Sequence, residues 1–220
     1  MPTCIGYATS KSPFGPYTYG GVIVDNDHCN PNNWNNHGSI AKFNGRWYVF
    51  YHRSTHGCNK MRKACVEPIT FNPDGSIPEV EMTSQGAGGP LEATSEIEAE
   101  WACILQGDLR IGAFAEHNEA LTHIRSGDKA VFKYVEFKNS PNSISFRVSP
   151  GKDGGTVIVT SDKPWHKQLA KIHIKGSDEG KEWKTVTKEI RDIYGVHAVW
   201  LQFYGNGDDL FSVDRLRFNR

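Results

Sequence analysis

The 220-residue sequence predicts an all-β fold, and three observations support this prediction. Short runs of alternating apolar and polar residues recur along the whole chain. The 22 glycines, together with proline, asparagine and aspartate, separate these runs at intervals typical of turns. Long stretches with apolar residues at helical spacing are scarce. We therefore expect many short strands joined by turns.

The first strands are expected to form hairpins. The clearest signal is Asn44-Gly45 between two strand-like runs, because a two-residue type I′ turn needs positive φ at both central positions. The predicted strands in this part of the chain are 4–9, 17–24, 39–43, 47–51 and 62–68.

The character of the sequence changes between residues 84 and 96. This stretch is rich in glycine and other small residues and has no periodicity, which is typical of a linker. We predict a domain boundary near residue 90, with domains at 1–88 and 97–220 and a linker at 89–96.

The second half again consists of short strands at regular spacing, which predicts a β-sandwich. Alternation is plainest in Ala198 to Tyr204. The predicted strands are 97–101, 130–137, 143–148, 156–160, 168–174, 184–190, 196–204 and 210–217.

Composition excludes several classes of function. Lysine plus arginine equals aspartate plus glutamate at 25 each, so the chain lacks the basic surplus of nucleic-acid or anionic-membrane binders. No apolar stretch approaches the roughly 20 residues needed to span a bilayer. The five cysteines form no C-x-x-C pair, which disfavours zinc ribbons and redox motifs. Cys29 and Cys58 lie in polar loops and could pair.

Four motifs in order give the N-terminal part a resemblance to a known family. They are Ile5 to Tyr19, Asn36 to Ile40, Gly45 to Arg53 and Arg62 to Pro68. Together they resemble the last blades of a glycoside hydrolase family 43 enzyme, over residues 1 to about 85. The resemblance implies an incomplete five-bladed β-propeller and a parent enzyme that removes arabinose or xylose units from plant cell-wall polysaccharides with inversion.

Inverting hydrolysis needs two carboxyl groups on opposite faces of the sugar. The resemblance implies that these groups come from earlier blades, so we expect no catalytic residue here and no activity from this chain alone. Asp25 and Asp27 are interpreted as turn residues, and Glu67 as a surface residue. By the same resemblance, His37 and Arg62 are the candidate substrate-binding residues of this part.

The C-terminal part resembles a family 6 carbohydrate-binding module along nearly its whole length, which implies a jelly-roll sandwich. The matching segments are 97–100, 123–128, 131–137, 146–149, 154–159, 183–186, 195–203 and 210–218.

The resemblance implies a structural calcium ion held by Glu98, Glu100 and Asp214. Glu98 and Glu100 are two residues apart and would share one face of a strand. Three converging carboxylates repel one another, and calcium prefers oxygen ligands, so a cation there is physically reasonable.

The family's loop-end cleft holds a sugar between two aromatic residues, helped by an asparagine. At the matching positions this chain has His123, Gly180 and Asp209, so we expect His123 and Asp209 to contact sugar in a weakened cleft. Trp165 could supply a neighbouring aromatic or pack within its loop. Trp183 and Trp200 are predicted to be core residues.

Three functions remain open at this stage. The first is a fragment of a plant-polysaccharide hydrolase that binds xylan-like or arabinan-like glycans. The second is an active glycosidase completed by a separate N-terminal half. The third is a structural sandwich that binds no sugar. The parent enzyme is expected to be extracellular or periplasmic, although no signal peptide follows Met1.

Overall fold

The computed structural model describes residues 3–26, 36–56, 58–115, 118–178 and 182–220, and these residues are almost entirely strand and turn. The all-β prediction is confirmed. No helix among the described residues is both long and apolar enough to cross a membrane. Cys29, Asp27, Gly180 and the side chain of Cys58 lie outside what is described.

The N-terminal segment, residues 3–82, contains two small antiparallel sheets. Strands β1 and β2 form one, and strands β3, β4 and β5 form the other in sequence order. The strands are β1 Cys4–Thr9, β2 Thr18–Asp25, β3 Ser39–Phe43, β4 Arg46–Thr55 and β5 Cys58–Ile69. Asn44 and Gly45 have φ of 46° and 80° between paired Phe43 and Arg46, so the predicted tight turn is confirmed. That these sheets are the last propeller blades stays a prediction.

The C-terminal part, residues 91–220, is a β-sandwich of two sheets. One sheet has the order β15-β12-β17-β10-β9, with β7 also on β17; the other has the order β14-β13-β16-β11-β6, with β8 also on β11. The strands are β6 Leu91–Glu92, β7 Ile97–Glu98, β8 Ile104–Gln106, β9 Arg110–Ala115, β10 Asn118–Thr122, β11 Lys129–Phe137, β12 Ser143–Pro150, β13 Gly154–Ser161, β14 Gln168–Lys175, β15 Lys184–Glu189, β16 Gly195–Tyr204 and β17 Phe211–Asn219.

Inward-facing side chains of both sheets form one continuous apolar core. Phe137 packs edge-on against Phe218 of the opposite sheet at 4.8 Å between ring centroids, and Phe203 meets Phe211 at 5.8 Å. Alternation on β12 and β16 sends every second residue into this core, which is the pattern that predicted the sandwich.

The segment predicted as a linker takes part in the sandwich. Leu91 and Glu92 pair in parallel with Val135 and Glu136 of β11. The backbone N–H of Phe218 donates to the carbonyl of Ala93 at 3.0 Å. The chain therefore enters the sandwich before the predicted start of the second domain.

A polar junction joins the N-terminal segment to the sandwich. Arg53 donates through Nη1 to the carbonyl of Ala102 and through Nη2 to that of Glu100, both at 2.5 Å. Lys63, directly across from Arg53 on β5, lies 3.4 Å from Glu100 Oε1 and 3.2 Å from Glu119 Oε2.

A second contact lies at the other side of the same junction. Glu81 accepts hydrogen bonds from Lys133 Nζ at 2.6 Å and from Tyr134 Oη at 2.7 Å. Burial alone would raise the pKa of the Glu81 carboxyl, but these two bonds lower it. The backbone N–H of Lys133 also donates to Ser84 Oγ at 3.0 Å, so both ends of the junction are tied by specific bonds.

Candidate functional site

The two candidate residues of the N-terminal segment come together around a third residue. The rings of His37 and His52 are edge-to-face with centroids 4.4 Å apart, and Arg62 Nε donates to His52 Nε2 at 3.1 Å. His37 and Arg62 are exposed, whereas His52 is buried. Sequence reasoning missed His52, although its place one residue beyond Tyr51 on an alternating strand signals a change of face.

Backbone packing fixes His37 in this cluster. A Cβ on the neighbouring Gly38 would lie 2.0 Å from the carbonyl oxygen of Phe50, so only glycine allows this approach to β4. This close approach brings His37 to the face of the sheet that carries His52 and Arg62. The exposed His37 imidazole and Arg62 guanidinium can donate hydrogen bonds to sugar hydroxyls.

The prediction that Glu67 is a surface residue is wrong. Glu67 is only 2% exposed and accepts hydrogen bonds from the Thr83 backbone N–H at 2.9 Å and from Thr83 Oγ1 at 2.8 Å. Burial raises its pKa to about 7. Because Glu67 is five residues from Arg62 on a strand with continuous register, it lies on the opposite face of the sheet and cannot serve the histidine cluster.

The structure brings His123 and Asp209 to adjacent loops at one end of the sandwich. The backbone N–H of Leu210 donates to the carbonyl of Ile124 at 2.9 Å, which joins the two loops next to the candidate residues. His123 has φ of 55° and its Nδ1 lies 3.0 Å from Thr122 Oγ1. Both candidates are exposed. Their role in sugar binding stays a prediction.

Glu98 ends β7, whereas Glu100 lies in a 3-10 helix at Ala99–Trp101, so the prediction that both share one face of a strand is wrong. The three candidate calcium ligands nevertheless lie within one another's electrostatic field. Burial raises the pKa of Glu98, and the charges of Glu100 and Asp214 raise it further. Burial also raises the pKa of Glu100, an effect that Lys63 opposes. Glu100 Oε2 is buried and makes no hydrogen bond to the described residues. These features suit a cation.

Two cationic side chains already lie beside these carboxylates. Arg147 Nη1 lies 2.6 Å from Asp214 Oδ2, and Lys63 Nζ lies 3.4 Å from Glu100 Oε1. In the described ranges no three acidic, histidine or cysteine side chains form a ready metal site. A calcium ion would therefore share the carboxylates with Lys63 and Arg147 and would require the side chains to converge further.

An aromatic groove of the sandwich lies on the outer face of the sheet that contains β16, and has a volume of about 730 Å³. Trp165 stands on the loop between β13 and β14 and is 79% exposed. Trp200 is half-buried on β16, between core residues Val199 and Leu201 that face inward. Trp200 therefore lies outside the main core, on the outer face, where it packs against the small apolar cluster of Cys103, Val131 and Ala198.

Three polar side chains line the floor of the groove in one row. Gln106 on β8 pairs in register with Lys129 on β11, which pairs with Gln202 on β16. Gln202 Nε2 donates to the carbonyl of Pro164 at 2.8 Å, and Trp200 Nε1 donates to that of Asp162 at 2.9 Å. These two bonds hold the Trp165 loop over the sheet. Aromatic faces beside amide and ammonium groups provide the contacts that sugars use.

Trp183 also differs from its predicted core position. It is half-buried directly before β15 of the opposite sheet, 4.5 Å from the ring of Phe114, with the Arg147 guanidinium carbon 5.1 Å from its ring. The cation therefore holds Trp183 in place by a cation–π contact. This tryptophan takes no part in the groove.

Comparison with known proteins agrees with this division of the chain. The family "Glycosyl hydrolases family 43" matches residues 1–77, and "Carbohydrate binding module (family 6)" matches residues 106–220. A xylosidase/arabinosidase of Thermoclostridium stercorarium is 33% identical over 91% of this chain and 48% of its own length. An arabinoxylan arabinofuranohydrolase of Bacillus subtilis is 29% identical over 100% of this chain and 45% of its own length. The chain thus spans about half the length of these curated relatives.

Solved structures give the same result. A glycoside hydrolase family 43 arabinoxylan arabinofuranohydrolase from Bacillus subtilis, solved with cellotetraose, superposes with a TM-score of 0.62 at 26% identity, covering 99% of this chain and 47% of that one. A family 6 module from Clostridium stercorarium, solved with cellobiose, shares the fold with a TM-score of 0.55 at 24% identity, covering 61% of this chain and 99% of that one. The chain belongs to carbohydrate-binding module family 6 through residues 106–220, and the segment preceding this module matches glycosyl hydrolases family 43.

Proposed function

We propose that the chain binds xylan-like or arabinan-like glycans of plant cell walls through the Trp165–Trp200 groove. The observation that supports this most strongly is the exposed Trp165 indole held over a row of Gln106, Lys129 and Gln202. The names of the relatives, which include xylosidases and arabinoxylan arabinofuranohydrolases, favour this class of glycan. Such polymers lie outside cells, which fits an extracellular or periplasmic location.

We also propose that the chain alone does not hydrolyse these glycans. The histidine cluster of His37, His52 and Arg62 can orient a sugar, but an inverting reaction needs a protonated and an ionised carboxyl group facing each other across the bond. Glu67, whose pKa burial raises to about 7, lies on the other face of the sheet. The expected behaviour is therefore binding without turnover.

Isothermal titration with xylohexaose and arabinoxylan oligosaccharides, with chromatography of the same samples for products, tests both statements. We expect wild-type binding without products, and at least tenfold weaker binding for Trp165→Ala, which is about 1.4 kcal/mol. Phe14→Ala is the matched control, because Phe14 is a 96% exposed aromatic of the other segment. Equal binding by wild type and Trp165→Ala would refute the groove as the glycan-binding site. Released sugar would refute the proposal that the chain alone does not hydrolyse glycans.

A second candidate function is glycosidic hydrolysis in the presence of a separate N-terminal half. Apolar side chains on the N-terminal sheets, including Ile40, Phe43 and Phe50, are exposed and would suit further propeller blades. Mixing the chain with the preceding half of the Bacillus subtilis relative should then release arabinose from arabinoxylan. His37→Ala should abolish that release while leaving oligosaccharide binding by the groove unchanged. No release from the mixture would reject this candidate.

Calcium binding by Glu98, Glu100 and Asp214 is also proposed, on the buried Glu100 Oε2 that has no hydrogen bond to the described residues. When bound, the ion would supply positive charge between the first and last strands of the sandwich. Calcium at about 100 times its Kd should then stabilise the fold by about 2.7 kcal/mol. Asp214→Asn should remove this response. If the midpoint of unfolding is the same with calcium and with a chelator, calcium binding is rejected. Lys63 and Arg147 would then be the groups that balance the carboxylate charges.

A further inference from the structure

A second pocket, partly open to solvent, lies between the N-terminal segment and the sandwich. Its volume is about 340 Å³, at the lower end of the roughly 300–1,000 Å³ of small-molecule sites. Cys65 and Glu67 on β5 line one wall, Gln85 lines a second, and Trp101 and Cys103 of the sandwich line a third. Neither part of the chain forms the cavity alone.

Glu67 and Gln85 are two of the polar side chains that line this cavity. The Glu67 carboxyl is held by two bonds from Thr83, and Tyr51 Oη lies 3.4 Å from its Oε1. Gln85 Oε1 is buried and makes no hydrogen bond to the described residues. A buried acceptor without a donor is unfavourable, so a hydroxyl group that donated to Gln85 would be bound in preference to an apolar group.

The charges around the cavity favour a neutral ligand. Arg53 binds two backbone carbonyls and Lys63 is paired with Glu100 and Glu119, so both cations already have partners in the junction. Half-exposed Trp101 and the Cys65 and Cys103 side chains supply apolar surface. An apolar wall with a few fixed hydrogen-bonding groups is the usual composition of a site for a small polar molecule.

We propose that this junction cavity binds one neutral sugar of monosaccharide size, with the ring against Trp101 and a hydroxyl donating to Gln85 Oε1 after the Gln85 amide turns toward the pocket. The choice of a sugar over other neutral polyols rests on the proposed glycan-binding function. Binding there would join the N-terminal segment to the sandwich, since both supply walls. Glu67, with a pKa of about 7, can accept from or donate to a neighbouring hydroxyl near neutral pH.

The test uses D-xylose and L-arabinose with the full-length Trp165→Ala chain, in which the groove is disabled. Alkylation of Cys65 by iodoacetamide, followed by peptide mass spectrometry, reports on the cavity. Exposed Cys4, which does not line the cavity, is the internal reference. We expect either pentose to slow alkylation of Cys65 at least threefold relative to Cys4.

Two added variants locate the effect. Gln85→Leu in the same background should weaken protection at least fivefold, whereas Gln106→Leu, a glutamine of the groove, should leave protection unchanged. Thermal unfolding verifies that each variant folds. An alkylation rate of Cys65 that neither pentose changes, or equal protection in Gln85→Leu and Gln106→Leu, would overturn the inference.

The outcome is separable from that of the groove. If Trp165→Ala abolishes oligosaccharide binding while neither pentose protects Cys65, the junction site is rejected and the proposed function stands. If a pentose protects Cys65 but Trp165→Ala leaves oligosaccharide binding intact, the junction site stands and the groove is rejected.

Discussion

The two parts of the chain differ in how far they bury their phenylalanines. All six of the largest fully buried side chains among the described residues are phenylalanines of the sandwich: Phe132, Phe137, Phe146, Phe203, Phe211 and Phe218. In the N-terminal segment Phe14, Tyr17, Tyr19, Phe43 and Phe50 are exposed, and the apolar cluster is small. The sandwich therefore carries a complete core, whereas the N-terminal segment depends on contacts with something else.

The described contacts show one such support. The β4–β5 face that carries Arg53 and Lys63 packs against the sandwich, and Glu81 reaches Lys133 and Tyr134. On the opposite face of this sheet, Phe43 and Phe50 are exposed to solvent. Strands of the same geometry are thus stabilised by a buried core in the sandwich and by contacts with the sandwich in the N-terminal segment. Substitutions can distinguish these two sources of stability.

The largest expected effect is in the sandwich core. Phe146→Ala should lower the free energy of unfolding by about 3–5 kcal/mol, because the ring is fully buried and its removal leaves a cavity. Phe14→Ala should change it by less than about 0.5 kcal/mol, since Phe14 is exposed. Urea denaturation measures both. Comparable losses of unfolding free energy in the two variants would contradict the proposed difference in core packing between the two regions.

A smaller loss is expected at the junction. Arg53→Leu should cost about 3 kcal/mol, because the carbonyls of Glu100 and Ala102 lose their charged donor. Hydrogen exchange should accelerate in β4 and β5 and remain slow in β12 and β16. Exposed Arg46→Leu is the control and should leave exchange unchanged. Equal acceleration in all four strands would mean that the two regions unfold as one unit.

The third prediction concerns pH. Glu67 has a pKa raised by burial from 4.5 to about 7, so the folded chain holds its proton more tightly than the unfolded chain. Its contribution is therefore most favourable below pH 4.5 and is lost as pH rises to about 7, at a cost of about 3 kcal/mol. Glu67→Gln removes this cost but weakens one hydrogen bond, so we expect a gain of about 2 kcal/mol at pH 8.

Thermal unfolding of wild type and Glu67→Gln at pH 5 and pH 8 measures this effect. The difference between the two proteins cancels the titration of other groups, including the histidines. We expect Glu67→Gln to be more stable than wild type at pH 8 but not at pH 5. An equal gain in stability at both pH values would show that Glu67 is not protonated preferentially in the folded chain.

Much of the fold could be predicted from the sequence, because alternation and turn residues report local structure directly. The hairpin at Asn44-Gly45 and the strands at 4–9 and 39–43 agree with the structure. Strands at 104–106, 110–115 and 118–122 were not predicted. They are short or rich in glycine and alanine, and their pairing with β11 or with each other stabilises them more than their own propensity does.

The candidate site was less predictable, since it depends on which face of a strand meets which partner. Glu67 precedes a proline at a strand end, yet the Thr83 segment covers it. Trp200 alternates with core residues and so faces outward, where the Asp162–Pro164 loop completes the groove. Such contacts join residues far apart in sequence, and no local pattern reports them.

Hydrogen exchange of the full chain with and without saturating xylohexaose tests the central claim most directly, because it shows which region binds. We predict slower exchange in 162–166 and in β16, with no change in β3, β4 or β5. Slower exchange in β3 to β5 with none in the sandwich would contradict the assignment of glycan binding to the Trp165–Trp200 groove.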